Sequence, residues 1–286
     1  MRVAVNFNPE KNNAPECAEK VCEILLKDGA EVSVNPAYKE RFSKYKNIIF
    51  EPLSESAEKS DFAVAIGGDG TMLRCAKKII GCNAKMIGIN TGRLGFMASL
   101  ESDCLEKLLL LKSGQFEITE RMLLHGILHD ETRIYEFDAL NDINVSGMYS
   151  KICDFSLYSG NYQLGNYRAD GIIFSTPTGS TAYALSAGGP VIEPDLECIE
   201  MNLICPHSLF SRAMLFSPER TLTLLCKSSS EESPLYMSFD GETPLKVSSN
   251  SRIEISKSRY KIPFVDFESK NAFHESLSKK LMQSIK

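Results

Sequence analysis

Five consecutive residues in the first quarter of the chain, Gly67-Gly68-Asp69-Gly70-Thr71, combine three glycines with one carboxylate. The apolar run before them, residues 62–66, predicts a buried strand, and apolar residues at helical spacing follow them. Glycines at a strand-to-helix turn let the backbone approach a bulky ligand, and a helix start offers N–H groups to an anion. A carboxylate repels phosphate, so Asp69 indicates a metal contact, a hydroxyl contact or proton transfer. A plain tight turn is the alternative, but it does not require this combination of residues.

A second stretch, residues 170–183, leads from an apolar strand into a loop with five hydroxyl side chains, one glycine and one tyrosine. Hydroxyls, backbone N–H groups and an aromatic ring suit a ligand rich in ribose hydroxyls and ring edges. The alternative is a surface loop that is merely rich in serine and threonine. A hydrolase nucleophile at Ser180 is not predicted, because the Gly-x-Ser-x-Gly elbow is absent.

Three shorter motifs are ambiguous when taken singly. Residues 90–96 follow a predicted strand and carry two glycines and an arginine, which fits ligand binding at the carboxyl end of a strand or an ordinary loop. Asn141-Asp142 and Asp240-Gly241 suit either turns or site residues. His125 and His129 have no third ligand nearby in the sequence, so no metal site is predicted there.

Composition narrows the class of protein. The chain has 286 residues, of which 43% are hydrophobic and 24% charged, as is ordinary for a globular protein. A net charge of −5 argues against a general nucleic-acid binder, and no apolar run reaches the ~20 residues that span a bilayer. Nine cysteines without a Cys-x-x-Cys motif predict reduced, buried thiols and a cytoplasmic location.

The pattern of elements changes near residue 118. Before it, strands alternate with helices, which predicts an α/β domain over residues 1–118 with a parallel, Rossmann-like sheet. A helix is expected over residues 102–111 in this part. After it, a hairpin over residues 121–139 and several short apolar segments predict an all-β domain over residues 119–271. The tail, residues 272–286, predicts a helix that packs back on the first domain.

Taken together, these motifs resemble the NAD kinase family from about residue 60 to residue 245. The carriers are residues 67–74, 90–96, 141–142, 170–186, 206–209 and 240–241. The Thr-Pro-Thr-Gly-Ser-Thr-Ala-Tyr segment is the most specific, since lipid kinases and phosphofructokinases share the glycine–aspartate loop without it. One departure is visible: the family usually has Asn-Glu where this chain has Asn141-Asp142.

The resemblance implies an α/β N-terminal domain with a parallel Rossmann-like sheet plus a mostly-β C-terminal domain, with the active site between them. It implies transfer of the γ-phosphoryl group of ATP to the 2′-hydroxyl of the adenosine ribose of NAD, with a divalent metal, usually Mg²⁺. Asp69 would be the catalytic residue, and no residue is assigned as a metal ligand. The implied binding residues are Gly67, Gly68, Asp69, Gly70, Thr71, Arg74, Asn90, Asn141, Asp142, Lys151, Arg168, Asp170, Thr181, Ala182, Tyr183, Ser186 and Asp240.

The resemblance further implies NAD and ATP as the small-molecule partners, no nucleic acid or membrane partner, and a homodimer or homotetramer in which NAD touches a neighbouring subunit. Two alternatives remain from the sequence. A lipid kinase of the diacylglycerol or sphingosine type shares the glycine–aspartate loop. A non-catalytic nucleotide sensor would keep the pocket, although anion binding alone gains nothing from Asp69. The sequence does not choose between ATP and polyphosphate, or between NAD and NADH.

Overall fold

The computed structural model describes residues 1–11, 13–92, 95–130, 133–148, 151–208, 211–228, 234–248, 251–267 and 272–283. The chain separates into two compact units, one formed by Met1–Glu120 with Ile262–Lys286 and the other by Arg121–Lys261. The first unit is therefore assembled from two separate parts of the sequence, whereas the second is one continuous stretch.

The first unit alternates strands and helices around a parallel sheet. Its elements up to residue 113 are β1 Arg2–Phe7, α1 Ala14–Lys27, β2 Glu31–Val34, α2 Lys39–Phe42, β3 Ile48–Phe50, α3 Leu53–Ala57, β4 Phe62–Gly67, α4 Asp69–Lys78, β5 Lys85–Asn90, β6 Leu100–Glu101 and α5 Leu110–Ser113. The strands lie in the order β3-β2-β1-β4-β5-β6 and pair in parallel. Every residue of β4 is buried, as expected for the centre of a sheet covered on both faces. The predicted α/β architecture is confirmed.

The helix predicted over residues 102–111 is found over a shorter range and mostly as a 3₁₀ helix. The structure has a 3₁₀ helix at Leu105–Leu109 and only then the single α-helical turn α5. Leu105, Leu108 and Leu111 are buried, and their spacing of three residues matches the period of a 3₁₀ helix rather than that of an α-helix. Burial of these leucines therefore selects the tighter helix.

The second unit is almost entirely antiparallel β-structure. Its elements, beginning with a strand that starts in the first unit, are β7 Glu117–Asp130, β8 Arg133–Ala139, β9 Asp142–Gly147, β10 Cys153–Ser159, β11 Tyr162–Ala169, β12 Gly171–Ser175, α6 Tyr183–Ser186, β13 Ile199–Ile204, β14 Met214–Phe216, β15 Leu222–Ser228, β16 Leu235–Phe239 and β17 Leu245–Val247. One sheet has the order β14-β13-β12-β9-β16-β17. Apolar side chains of this sheet, such as Phe174, share a core with those of β10 and β15, such as Phe155 and Leu224. The predicted mostly-β character is confirmed.

The sequence missed five of these strands, β9, β11, β13, β14 and β17. Much of β11 is exposed, so it lacks the apolar alternation that marks a strand. In β13, Glu200 and Asn202 occupy buried positions that apolar residues usually fill. Asn141-Asp142, which also suited a turn, instead leads into a strand, because Asp142 is the first residue of β9.

The last strand and helix join the second unit to the first along the chain. Strand β18, Arg252–Asp266, pairs with β15 in the second unit, and its end pairs in parallel with β5 through Phe264 and Met86. Helix α7, Ala272–Gln283, follows, and the Phe273 ring lies 6.1 Å from that of Phe96. The predicted final helix is confirmed over these residues, and residues 284–286 lie outside the described part. Among the described helices, none has both the length and the apolar character needed to cross a membrane. All nine cysteines are free thiols.

Candidate functional site

The carboxylate of Asp69 is fixed by a neighbouring loop. Asp69 begins α4 directly after the turn that ends β4, so the predicted strand–turn–helix is confirmed. The backbone N–H groups of Phe96 and Met97 donate hydrogen bonds to this carboxylate at 3.1 and 3.3 Å. Two amide donors on one side leave the side chain a narrow range of orientations.

The loop approaches Asp69 most closely at Gly95. A Cβ atom at this position would lie 2.0 Å from Oδ1 of Asp69, far inside van der Waals contact. Gly95 is therefore required wherever Asp69 keeps its present position. The sequence marked the glycine-rich loop but did not single out this glycine, because the contact spans 26 residues of chain. Arg93 and Leu94 lie outside the described residues.

The other residues predicted on this unit differ in exposure. Asn90 is buried, and its amide donates to the carboxylate of Glu101 at 2.9 Å, so it shapes the loop from within. Thr71 is also buried, whereas Gly70 and Arg74 are exposed. The first turn of an α-helix has N–H groups without acceptors in the helix, which favours an anion near Gly70. Arg74, one turn later, adds a positive charge to the same end of α4.

In the second unit, Asp240 organises the backbone around Asn141. Asp240 and Gly241 have φ values of 50° and 68°, which is the backbone of a tight hairpin turn and confirms the turn predicted there. The carboxylate of Asp240 accepts hydrogen bonds from the N–H groups of Leu140 at 2.9 Å, Asn141 at 2.7 Å and Asp142 at 3.3 Å. Asp240 thereby holds the segment that presents Asn141 and Asp142.

The side chains of Asn141 and Asp142 occupy unusual environments. Asp142 is only 5% exposed. Burial and the nearby charge of Asp240 raise the pKa of Asp142 to about 6, against the opposing effect of a hydrogen bond with Asn144. The side-chain oxygen of Asn141 is buried and meets no hydrogen-bond donor within the described residues. Since an unsatisfied buried acceptor costs about 1–3 kcal/mol, a donor on a ligand would be favoured there.

The hydroxyls of the loop after β12 were expected to suit a ligand. In the structure, most of them form hydrogen bonds within the protein instead. Four of its five hydroxyls donate to acceptors within the protein. The pairs are Ser175 with the Glu200 carboxylate (2.7 Å), Thr176 with the Leu140 carbonyl, Ser180 with the Pro177 carbonyl (2.7 Å) and Thr181 with the Thr178 carbonyl (3.2 Å). These hydroxyls shape the loop, and the exposed groups are instead Tyr183, at 44%, and Ser186 on α6. Ala182 precedes α6 and is partly exposed.

Arg168 and Asp170 lie at the opposite end of β12 from this loop. Asp170 precedes the first residue of β12, whereas Ser175 at its end pairs with Asp142. At about 3.3 Å per residue, Asp170 is roughly 16 Å from Ser175 along the strand. Arg168 does not pair with Asp170 but with Asp154 across the strand, at 3.3 Å, and both side chains are exposed. One chain therefore does not bring Arg168 and Asp170 next to Asn141, Asp142 and Tyr183.

Asp170 has a neighbour that the sequence analysis did not assign. Nε2 of His207 lies 3.9 Å from Oδ1 of Asp170, and the backbone N–H of His207 donates to the carbonyl of Arg168 at 2.8 Å. His207 belongs to the Pro-His-Ser motif that carried part of the resemblance. Lys151, the other predicted cation of this unit, is exposed just before β10.

Two family models match the chain, the ATP-NAD kinase N-terminal domain at residues 3–111 and the ATP-NAD kinase C-terminal domain at residues 141–267. The chain belongs to the NAD kinase family. It is 33% identical over 273 residues to an NAD kinase of Clostridium botulinum (strain Kyoto / Type A2), covering 95% of this chain and 93% of the relative. It is also 33% identical to an NAD kinase of Caldanaerobacter subterraneus, covering 95% of this chain and 96% of the relative. The protein is thus a phosphotransferase, an NAD kinase.

Solved structures of NAD kinases share the fold. A crystal structure of yeast NADH kinase complexed with NADH matches with a TM-score of 0.89 and 23% identity, covering 98% of this chain and 87% of that one. An NAD kinase from Archaeoglobus fulgidus in complex with ATP matches with a TM-score of 0.76 and 28% identity, covering 98% of both chains. Since both halves of the chain match ATP-NAD kinase models, the lipid-kinase alternative has no support from these comparisons.

Among the residues that the structure describes, no three His, Cys, Asp or Glu side chains of this NAD kinase are grouped so that they could hold a metal ion. The two predicted strand histidines instead meet acidic partners: His125 lies 3.1 Å from Asp138, and His129 lies 3.4 Å from Glu254. Mg²⁺ commonly binds through few protein carboxylates and keeps phosphate and water ligands.

Proposed function

We propose that this NAD kinase transfers the γ-phosphoryl group of ATP to the 2′-hydroxyl of the adenosine ribose of NAD, giving NADP and ADP. The observation that carries the proposal is the fixed carboxylate of Asp69 at the start of α4, which accepts two backbone hydrogen bonds from one loop. A fixed carboxylate can accept the hydrogen bond of a sugar hydroxyl and receive its proton as the P–O bond forms. Phosphoryl transfer depends mainly on such positioning and on charge stabilisation.

The phosphate end of the ATP site is assigned to Gly67, Gly68, Gly70 and Thr71, together with Arg74. The first turn of α4 favours an anion, and the exposed guanidinium of Arg74 matches phosphate oxygens. Asn90 holds the adjoining loop through Glu101. Mg²⁺ bound to the ATP phosphates would neutralise charge that develops during transfer.

The NAD site is assigned to Asn141, Asp142 and the segment with Thr181, Ala182, Tyr183 and Ser186. The unsatisfied oxygen of Asn141 supports this assignment, since a hydroxyl or amine of NAD would supply its missing donor. Asp142 replaces the usual glutamate and starts a strand beside Ser175, so a shorter acid is held at a fixed position. Asp240 supports the site through three backbone hydrogen bonds.

Arg168 and Asp170, with Lys151 as a weaker candidate, are assigned to the NAD site of a neighbouring subunit in a homodimer or homotetramer. The distance of roughly 16 Å along β12 supports this, because one chain cannot bring both ends of the strand to one small group. The nine free thiols support a cytoplasmic location.

The test is the purified protein incubated with NAD, ATP and Mg²⁺, with NADP detected by an NADP-specific dehydrogenase. Asp69→Asn should lower kcat on the order of 10²–10⁴-fold while leaving the Kd for NAD unchanged, since it removes only the proton acceptor. Replacing ATP with polyphosphate tests which phosphoryl donor is used. Replacing NAD with NADH or with diacylglycerol tests which acceptor is used.

Absence of NADP would overturn the reaction itself. Near-normal kcat in the Asp69→Asn protein would overturn only the role of Asp69. Lipid phosphorylation in place of NADP formation would reinstate the lipid-kinase alternative.

A further inference from the structure

Three residues form a polar row across the sheet of the second unit. Ser175 on β12 pairs with Asp142 on one side and with Glu200 on the other. Residues directly opposite each other on neighbouring strands share a face. Because side chains alternate, Phe174 and Met201 point to the other face, where they belong to the apolar core. Glu200 therefore lies on the same face as Asp142, one strand beyond Ser175.

The carboxylate of Glu200 is fully buried and fully engaged. Its exposed fraction is 0%, and its two oxygens accept hydrogen bonds from the Ser175 hydroxyl at 2.7 Å and from the Asn202 amide. Burial raises the pKa of Glu200 above its usual range, although both hydrogen bonds act in the opposite direction. Burying a carboxylate is costly, and an apolar side chain would fill the space more cheaply. The cost indicates a task other than core packing.

Gly189 rests directly on this pair of side chains. A Cβ atom at Gly189 would lie 2.1 Å from Oε1 of Glu200 and 2.4 Å from Nδ2 of Asn202. The same glycine ends helix α6, because its N–H donates to the carbonyl of Ala184 at 2.9 Å, next to Gly188 with its positive φ of 87°. Glu200 and Asn202 thus form the surface on which the end of α6 is seated.

We propose that Glu200 is a positioning residue of the NAD site, which ties the end of β12, through Ser175, to the end of α6, through Gly189. The segment between these two points carries Thr181, Ala182, Tyr183 and Ser186. Glu200 does not touch the substrate. It fixes both ends of the segment that does, and the inference rests on the assignment of this segment to NAD.

The experiment compares Glu200→Ala, Glu200→Gln and Gly189→Ala with Met201→Ala as the matched control. Met201 is equally buried on the same strand but faces the core. Glu200→Ala and Gly189→Ala should each raise the KM and the Kd for NAD on the order of 10-fold, with the KM for ATP changed little. Glu200→Gln should remain near the wild type, because its amide accepts from Asn202 and donates to Ser175. Met201→Ala should lower Tm without changing the KM for NAD.

The double variant separates this contact from general damage. Alanine at position 200 removes the closest clash of the methyl group of Gly189→Ala and frees the Asn202 amide from Glu200, so the second substitution should cost less in that background. Equal costs of Gly189→Ala in both backgrounds, or an equal rise in the KM for NAD in Met201→Ala, would overturn the proposal. If the wild-type protein forms no NADP, the proposed function fails. If it forms NADP and Glu200→Ala binds NAD normally, only the role of Glu200 fails.

Discussion

Four carboxylates in and near the candidate site differ in their burial and in their hydrogen-bond partners. Asp69 accepts two backbone N–H groups and remains partly exposed. Asp240 accepts three and serves the backbone. Asp142 and Glu200 are buried, and both have raised pKa values. Three aspartates and one glutamate therefore provide the proposed proton acceptor, a backbone support and two buried groups that resist ionisation.

The pH dependence of stability should report the environment of Asp142. Its pKa rises from 3.8 in the unfolded chain to about 6 in the folded protein, chiefly because it is buried. Between these values the folded state binds more protons than the unfolded state, so the free energy of unfolding falls as pH rises from about 4 to about 6. The full fall is roughly 3 kcal/mol, and none of it is regained above that range. Asp142→Asn should abolish this contribution and be more stable than the wild type at pH 7 but not at pH 4.

Urea-unfolding midpoints at pH 4, 5, 6 and 7 measure the difference between the two proteins. Asp154→Asn is the control, because that carboxylate is about half exposed and the substitution removes no buried charge. A constant difference between Asp142→Asn and the wild type across this range would contradict the prediction.

At the scale of elements, two segments hold Asp69 in position, and the turn between β4 and α4 is only the first. The second is the loop after β5, whose Phe96 and Met97 N–H groups donate to Asp69. This loop needs Gly95 beside them, because a Cβ there would clash with Asp69. The ring of Phe96 also meets Phe273 of α7, so the loop is contacted from two directions within the first unit. The geometry of the proposed catalytic carboxylate therefore depends on a contact between two loops.

Gly95→Ala should therefore damage catalysis more than substrate binding. The added methyl group must displace the Asp69 carboxylate or the loop, and a misplacement near 1 Å costs on the order of 10²-fold in rate. We expect a fall of that size in kcat, with the Kd for NAD little changed, measured by steady-state kinetics and by titration.

Gly92→Ala is the matched control for this change. It lies in the same loop, but a Cβ there would meet no atom of the described residues within 4 Å. Equal losses of kcat in the two alanine variants would show that the loop as a whole, rather than contact with Asp69, limits the rate.

Elements and site residues were predictable to different degrees, for physical reasons. Strand β4, found at Phe62–Gly67, was predicted over residues 62–66, since a buried parallel strand between turns leaves a clear apolar run. Glu200 was not, because nothing local in the sequence shows that Ser175 and Gly189 converge on it. Gly95 was hidden in the same way by its distance along the chain from Asp69. Local motifs were visible in the sequence, whereas the supports beneath them depend on tertiary contacts.

At the scale of the whole molecule, the predicted NAD residues divide into two groups at opposite ends of β12. Subunit complementation tests whether the group at the start of β12, Arg168 and Asp170, serves the site of a neighbouring subunit. Asp69→Asn should be inactive in its own site, and Arg168→Ala should be nearly inactive at NAD concentrations far below its raised KM. A hybrid dimer retains one intact site, because the Asp69→Asn subunit lends its Arg168 to the other.

Mixing the two variants should restore about a quarter of wild-type activity, since half of randomly mixed dimers are hybrids with one working site each. The two chains are co-refolded or co-expressed and assayed at low NAD. A mixture no more active than the mean of the separate variants would place Arg168 in the site of its own chain, or outside the site.

The interrupted first unit also has a consequence for synthesis of the protein. Strand β5 is synthesised early, but its partner near Met86 is Phe264, which leaves the ribosome only after the whole of residues 121–261. At bacterial and eukaryotic elongation rates these residues take roughly 7–30 s to make. During that time the nascent sheet has an unpaired edge, the kind of surface on which strands of other chains add. The unfinished chain is therefore expected to be more prone to aggregation than the completed protein.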